Sequence, residues 1–258
     1  MKFLPRLWII TSFTLLLFFP QSSRSVPQSL NWKVLASGLE YGIMEFRTGL
    51  YRTDIRLKVL KVDPYQYPVR IIQSKDYNEK KLSVKEFSRK SGAIAVINGG
   101  FFLSNYEPVG LIIQNNMVLN QMSRADWGIF LIEKGEPKII HTREYQYNPH
   151  ISQALQVGPR LVVNGRVVKL KNQVSRRSAL GITKDKKLIF VISDASVVYA
   201  DDLAKIMRLS FSEGGLGCES ALNLDGGPSS QFYLNYNGFE DSVEGGWEVP
   251  NAIGVFVQ

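Results

Sequence analysis

The sequence predicts an α+β fold dominated by short, mostly antiparallel strands, with two or three helices. Three observations predict it. Alternating or uniformly apolar runs of strand length recur along the chain, and turn residues close each run. Only two segments combine helical spacing with helix-end signals. The 258 residues are 45% hydrophobic and 21% charged, which excludes disordered and collagen-like classes and leaves ample length for a core. No internal repeat or linker rich in Pro, Gly or Ser interrupts the chain, so one domain is expected over residues 26–258.

Residues 1–25 read as a secretory signal. Lys2 and Arg6 precede the apolar run Leu7–Phe19, and Ser23 and Ser25 stand at −3 and −1 of a cleavage site before Val26. The run is shorter than the roughly 20 residues of a membrane-spanning helix, and an uncleaved anchor is the alternative. Either way the folded part is expected to be secreted or periplasmic, with no membrane contact beyond this segment. Val26–Ser37 is expected to be a lead-in. Strands then follow at Tyr41–Phe46, at Ile55–Val62, where period-two alternation stops at Asp63-Pro64, and at Tyr67–Gln73. Ser83 with Glu86 three residues on, and Gly92 beyond the end, predict a capped helix over Ser83–Ser91. Ala93–Ile97 is uniformly apolar and suits a strand buried on both faces. Further strands are expected at Val109–Ile113, Gly128–Glu133 and Lys138–Arg143. Asn164-Gly165 predicts a tight hairpin between Leu161–Val163 and Arg166–Val168. Ser178–Ile182, Leu188–Ser193, Ala221–Leu224, Gln231–Leu234 and Ala252–Val257 bring the strands to about a dozen. Asp201-Asp202 open the second helix, Leu203–Ser210.

Composition narrows the chemistry. One cysteine, Cys218, excludes an internal disulfide framework and is expected to be buried. His141 and His150, nine residues apart on no shared helical face, do not make a zinc site. Without residues 1–25 the chain carries 28 basic and 23 acidic residues, scattered and not gathered into a stripe, so no nucleic-acid partner is expected. Chemistry must therefore come from carboxylates, arginines, hydroxyls and backbone, with no cofactor or metal.

Three apolar strands run directly into polar, mostly Gly-rich residues: Ala93–Ile97 into Asn98-Gly99-Gly100, Leu188–Ser193 into Asp194, and Ala221–Leu224 into Asp225-Gly226-Gly227-Pro228-Ser229-Ser230. A buried strand fixes the first polar residue after it, and paired glycines let backbone N–H groups approach an anion. Each feature taken singly is equally an ordinary tight turn. Arg160 and Arg177 each stand at the entrance of a strand, and guanidinium suits phosphate.

Asn98-Gly-Gly-Phe-Phe102, Gly158-Pro-Arg-Leu161, Arg177-Ser-Ala-Leu-Gly181, Asn223-Leu-Asp-Gly-Gly-Pro-Ser-Ser230 and Asn251-Ala-Ile-Gly-Val255 together resemble the phosphodiester glycosidase family, in the same order. The resemblance covers roughly Ala93 to Val257. It implies hydrolysis of the glycosyl C–O bond of a sugar-1-phosphodiester, leaving a phosphomonoester. Asp225 is then the expected carboxylate at the anomeric carbon, as base or nucleophile, with Glu107 or Asp194 as a second. Arg177 and Arg160, with the backbone of Gly99, Gly100, Gly226 and Gly227, are expected to hold phosphate. Asn98, Ser178, Ser229 and Ser230 are expected at substrate oxygens, and Phe101, Phe102 and Trp247 are candidates to stack on a sugar. The family's usual third glycine is replaced here by Pro228, which removes an N–H. Two other classes fit the sequence: a non-catalytic module that grips anionic glycans, and a metal-dependent phosphodiesterase.

Overall fold

The computed structural model describes residues 30–47, 54–171 and 173–258; the expected signal segment lies outside them. Twenty strands and two α-helices form three larger sheets and a two-stranded ribbon, with every paired strand antiparallel. The first sheet has eight strands in the order Asn31–Ala36, Leu39–Arg47, Asp54–Val62, Leu188–Ser193, Ser178–Thr183, Cys218–Asn223, Arg160–Val163 and Arg166–Val167. The second runs Met117–Asn120, Ile112–Gln114, Ile151–Val157, Gly128–Glu133 and Glu136–His141. The third runs Phe239–Val243, Phe232–Tyr236, Ala95–Asn98, Asn251–Val255 and Val69–Gln73. Val174–Ser175 pairs with Val198–Tyr199 as the ribbon.

The strand pleat sorts side chains onto two faces. Leu180, Phe190 and Leu222 of the first sheet, Phe130 and Leu155 of the second, and Ile97, Phe232 and Ile253 of the third meet in one shared core. The opposite face of the first sheet, with Ala179, Val191 and Ala221, packs under helix α2 (Ala200–Arg208) through Leu203, Ala204 and Met207. Helix α1 (Val84–Ser91) covers the outer face of the third sheet through Val84 and Phe87. Its ends are those expected: Ser83 caps Glu86 N–H, the Glu86 carboxylate returns to Ser83 N–H at 3.0 Å, and Gly92 closes the helix at φ 77°.

Two expectations are corrected. The segment taken as a lead-in contains the edge strand Asn31–Ala36, which pairs with Leu39–Arg47 and extends the first sheet. Ile151–Val157, the central strand of the second sheet, escapes sequence reading because Gln153 and Gln156 interrupt its apolar pattern. Both are buried and fully occupied. Gln153 Oε1 accepts from Ile71 N at 2.9 Å, and Gln156 Oε1 accepts from Leu111 N at 3.0 Å and Ser123 N at 2.8 Å. Cys218 is fully buried, and desolvation pushes its thiol pKa up, as an inert core cysteine requires.

Candidate active site

The site grows from Asn98, the last residue of the central strand Ala95–Asn98. Its side chain is fully buried and hydrogen-bonded through both Oδ1 and Nδ2. Nδ2 donates to the Asp225 carbonyl at 2.7 Å, while Oδ1 accepts from the Ser178 hydroxyl at 2.6 Å and Gln231 N at 3.1 Å. One amide thus ties the third sheet to the first sheet and to the Asp225 turn. Gly99 adds a backbone clamp: its carbonyl accepts Asp225 N at 3.0 Å and its N–H donates to Asn251 O at 3.0 Å. A β-carbon here would lie 2.1 Å from Asn251 Oδ1, so close approach and not an unusual φ demands glycine. Gly100 N donates to that same Asn251 Oδ1 at 2.7 Å.

Asp225 stands just past the end of strand Cys218–Asn223. Its Oδ1 accepts Gly226 N at 2.9 Å, and the Ser229 hydroxyl also bonds the carboxylate. Burial nevertheless dominates and raises the pKa above the usual carboxylate range, against those two hydrogen bonds. Gly227 adopts φ 60° and its N–H meets Arg176 O at 2.9 Å. Pro228 is the middle residue of the 3-10 turn Gly227–Ser229. An N–H in a first helical turn needs no intrahelical partner, so proline fits there. Its carbonyl accepts Gly246 N and Trp247 N at 2.8 and 3.1 Å.

The structure brings Asn98, Gly99, Gly100, Ser178, Asp225, Gly226, Gly227, Ser229 and Ser230 together, with different duties from those expected. The N–H groups of Gly99, Gly100, Gly226 and Gly227 are all spent inside the protein, so they form no phosphate cradle. Asn98 and Ser178 hold each other and not a substrate oxygen. Arg177 lies opposite Asp225 in register, extrapolating from the Ala179–Asn223 pair and the Leu224 N to Ser178 O bond. Its guanidinium, however, is buried and donates to Val198 O at 3.3 Å and Gln173 O at 2.6 Å, and desolvation lowers its pKa. It braces the ribbon instead of waiting for phosphate. Arg160 packs on the other face of the sheet, over Gly128. Asp194 is taken up in ion pairs, 3.6 Å from Arg56 and 3.5 Å from Lys58. Glu107 is exposed on the hairpin after Phe102 and lines a separate cavity with Lys75 and Lys80.

Sequence reasoning missed Gln231, whose backbone and side chain knit the Asp225 turn to helix α1, and the pair His141–Asp126 with Trp127 beside it. Spacing carries no signal for them, because the partners of Gln231 come from other segments, and His141 meets Asp126 only once the strands Gly128–Glu133 and Glu136–His141 have paired. The site also holds unpaired polarity. Arg176 Nε, Asn223 Oδ1, Ser230 Oγ and Asn251 Nδ2 are buried without a protein partner, and all four belong to the motifs around Asp225. Such atoms cost about 1–3 kcal/mol each and are characteristic of sites kept for function. Among the described residues, no group of three His, Cys, Asp or Glu side chains is placed to share a metal ion.

A half-buried carboxyl is thus fixed by a turn that strand ends from two sheets hold. Residues 91–256 match the model of the phosphodiester glycosidase family, and the chain belongs to that family. The fold is similar to the catalytic domain of zebrafish N-acetylglucosamine-1-phosphodiester alpha-N-acetylglucosaminidase, solved auto-inhibited by its pro-peptide. The TM-score is 0.70 at 17% identity, over 91% of this chain and 88% of that one. It is also similar to a hypothetical protein from Synechocystis, with TM-score 0.61 and 14% identity over 89% and 64% of the two chains. Among curated proteins, the uncharacterised YigE of Escherichia coli K12 is 24% identical over 143 residues, which are 50% of this chain and 54% of that protein. The alignment therefore spans about half the length of that relative.

Proposed function

We propose that the protein is an extracytoplasmic hydrolase that cleaves the glycosyl C–O bond of a sugar-1-phosphodiester. Water adds to the anomeric carbon, the bond from that carbon to the phosphate oxygen breaks, and a free sugar and a phosphomonoester result. The leaving group departs as an anion, so protonating it matters less than in ordinary glycoside hydrolysis. The chemistry then needs one well-placed carboxylate near the anomeric carbon, and Asp225 is that group. Its half-buried, raised-pKa carboxyl is the single observation that carries this reading, because acid–base groups work best with pKa values moved toward the operating pH. Membership of the phosphodiester glycosidase family supports the reaction class, and the N-terminal signal pattern supports the location. No helix among the described residues is long and apolar enough to cross a membrane.

The test is Asp225→Asn assayed on a synthetic N-acetylglucosamine-1-phosphodiester. Turnover is expected to fall by about 10²- to 10⁴-fold with the fold intact; full activity would remove Asp225 from the chemistry. The alternative, a non-catalytic module gripping anionic glycans through the same loops, would need donors that the glycine N–H groups and Arg177 already spend inside the protein. Binding of the same phosphodiester without turnover across pH 5–8 would select it. Loss of activity in EDTA, with ¹⁸O from water entering phosphate and not sugar, would instead select a metal-dependent phosphodiesterase.

A further inference from the structure

Among the described residues, the second sheet ends in an open strand: Glu136–His141 pairs only with Gly128–Glu133, on one side. A cavity of about 480 Å³ runs along its free side. Four consecutive residues of the strand, Pro137 to Ile140, form one wall, and Ile182, Lys184, Lys186 and Glu219 stand on the other. Successive strand residues point to opposite faces, so a cavity touching four in a row follows the edge of the strand. It lies by Thr183 and Cys218, which pair at one end of Ser178–Thr183 and Cys218–Asn223, whereas Ala179 and Asn223 pair at the other end. The groove is therefore at the opposite end of the first sheet from the Asp225 turn.

The hydrogen-bond phase shows what this edge offers. Thr142 N donates to Trp127 O at 3.1 Å, one register step beyond the Gly128–His141 pair. Bonded pairs alternate along an antiparallel ladder, so Ile140 and Lys138 turn their backbone toward the neighbouring strand. Ile139 and Pro137 turn theirs outward. His141 is in the same outward phase, and its N–H is taken by the Glu144 carboxylate at 2.9 Å. The N–H and C=O of Ile139 have no such partner among the described residues. Pro137 offers only an acceptor, which keeps the open stretch short and guards it against long edge-to-edge pairing. The surroundings are basic over an apolar floor. Ile139 packs on the shared core, Ile140 packs on the outer cluster of the second sheet, and Ile182 is buried. Lys138 pairs with Glu133 and Lys187 with Asp63, but Lys184 and Lys186 are exposed and make no ion pair among the described residues. Glu219, the carboxylate on the wall, has its Oε2 against Gly165, beside Arg208 Nε.

We propose that this edge is a docking surface for an acidic, extended segment of a partner protein, which adds as a sixth strand beside Glu136–His141. One residue of the segment exchanges both backbone hydrogen bonds with Ile139, and a further N–H of the segment reaches Pro137 O. Its carboxylates meet Lys184 and Lys186. The open backbone selects an extended peptide over a free anion, and the two lysines select its charge. The inference does not draw on the hydrolase reading.

The experiment titrates the full-length protein with a fluorescein-labelled hexapeptide of alternating Glu and Val, read by fluorescence anisotropy. Three further peptides serve as controls: one with Lys in place of Glu, and two N-methylated at either the Glu or the Val positions. The Glu peptide is expected to bind at least about tenfold tighter than the Lys peptide, and Lys184→Glu with Lys186→Glu to weaken it about tenfold. Both lysines are exposed, so the double variant is expected to fold. An added edge strand pairs through one side of its backbone only, so one N-methylation pattern should block binding and the other should not. Amide exchange at Ile139, followed by NMR, should slow when the peptide is bound. Equal binding of the Glu and Lys peptides, indifference to the double variant, or no binding at millimolar peptide would overturn the proposal. Equal effects of the two methylation patterns, or an unprotected Ile139 amide, would overturn strand addition. Inorganic phosphate competing as well as the peptide would reduce the surface to an anion patch and overturn it likewise. Self-association of the protein that the double variant abolishes would overturn it in favour of a second copy.

Discussion

Asp225 is costly to keep. In the unfolded chain its carboxyl ionises in the ordinary range, whereas in the fold burial raises its pKa despite the Ser229 hydroxyl and Gly226 N–H. Between those two values the native protein holds a proton that the unfolded chain has released. Its contribution to stability is therefore fully present below the unfolded pKa and is lost as pH rises through the folded pKa. Asparagine keeps the acceptor for both hydrogen bonds but cannot ionise. Asp225→Asn is expected to melt at a higher temperature than the parent at pH 7, with the gap closing as pH falls into the carboxylate range. Scanning calorimetry from pH 3 to pH 7 checks it, and a gap independent of pH would show that the charge is not what destabilises. Under the proposed role of Asp225, such a gain in stability at the expense of activity is the usual trade. At this scale the sequence marks which residues gather, since Asn98, Gly99 and Asp225 each end or follow an apolar strand. It does not mark where side chains point. Arg177 and Arg160 both stand at strand entrances, yet the pleat and one bulge send them to opposite faces, where one meets carbonyls and the other packs over Gly128.

Elements were legible where their ends are local. The Ser83–Glu86 box and Gly92 delimit helix α1, and Asn164-Gly165 turns its hairpin with φ of 47° and 70°, both left-handed as a primed turn requires. The strand Ile151–Val157 was hidden because its two glutamines are satisfied only by partners from other segments. The strand-to-turn junction at Gly99-Gly100 reads as an anion cradle in sequence and is a packing contact in the structure. This difference can be measured. Ala at Gly99 would press its β-carbon to 2.1 Å from Asn251 Oδ1, whereas at Gly100 the nearest atom, Gln156 O, is 3.2 Å away. Gly99→Ala is expected to cost about 2–4 kcal/mol in urea denaturation, and Gly100→Ala distinctly less, because only the first drives a β-carbon well inside contact distance, against an Asn251 amide oxygen that Gly100 N holds in place. Equal costs would mean that the junction yields as a loop, and the Asp225 turn would lose its rigid footing.

At the scale of the whole molecule, three sheets share one apolar core, and polar straps fix how they sit around it. The firmest strap is Lys58, buried on the first sheet. Its ammonium lies 2.7 Å from Asp241 Oδ1 and 2.8 Å from Ser242 O on the third sheet, and 3.5 Å from Asp194. The Tyr41 hydroxyl also bonds Asp241. Burial works against the Asp241 carboxylate, but Lys58 and Tyr41 outweigh it and hold its pKa below the usual range. A carboxylate so depressed contributes stability above its unfolded pKa and gives it up as pH falls through the folded value. Lys58 and Tyr41 lie before the residues that match the family, whereas Asp194, Asp241 and Ser242 lie within them, so the strap ties the N-terminal strands to the family-matched part of the chain. Lys58→Met keeps the buried stem and removes the charge, leaving Asp241 without its cation and Asp194 with Arg56 alone. It is expected to cost about 3–5 kcal/mol at pH 7, since breaking a buried pair strands the partner. The loss should shrink on acidification as Asp241 takes a proton. Lys58→Met with Asp241→Asn should recover part of it at neutral pH, because the stranded charge goes as well. Denaturation at pH 7 and pH 4 measures all three. A cost below about 1 kcal/mol, the range of exposed pairs, would show that the core alone sets the arrangement of the sheets.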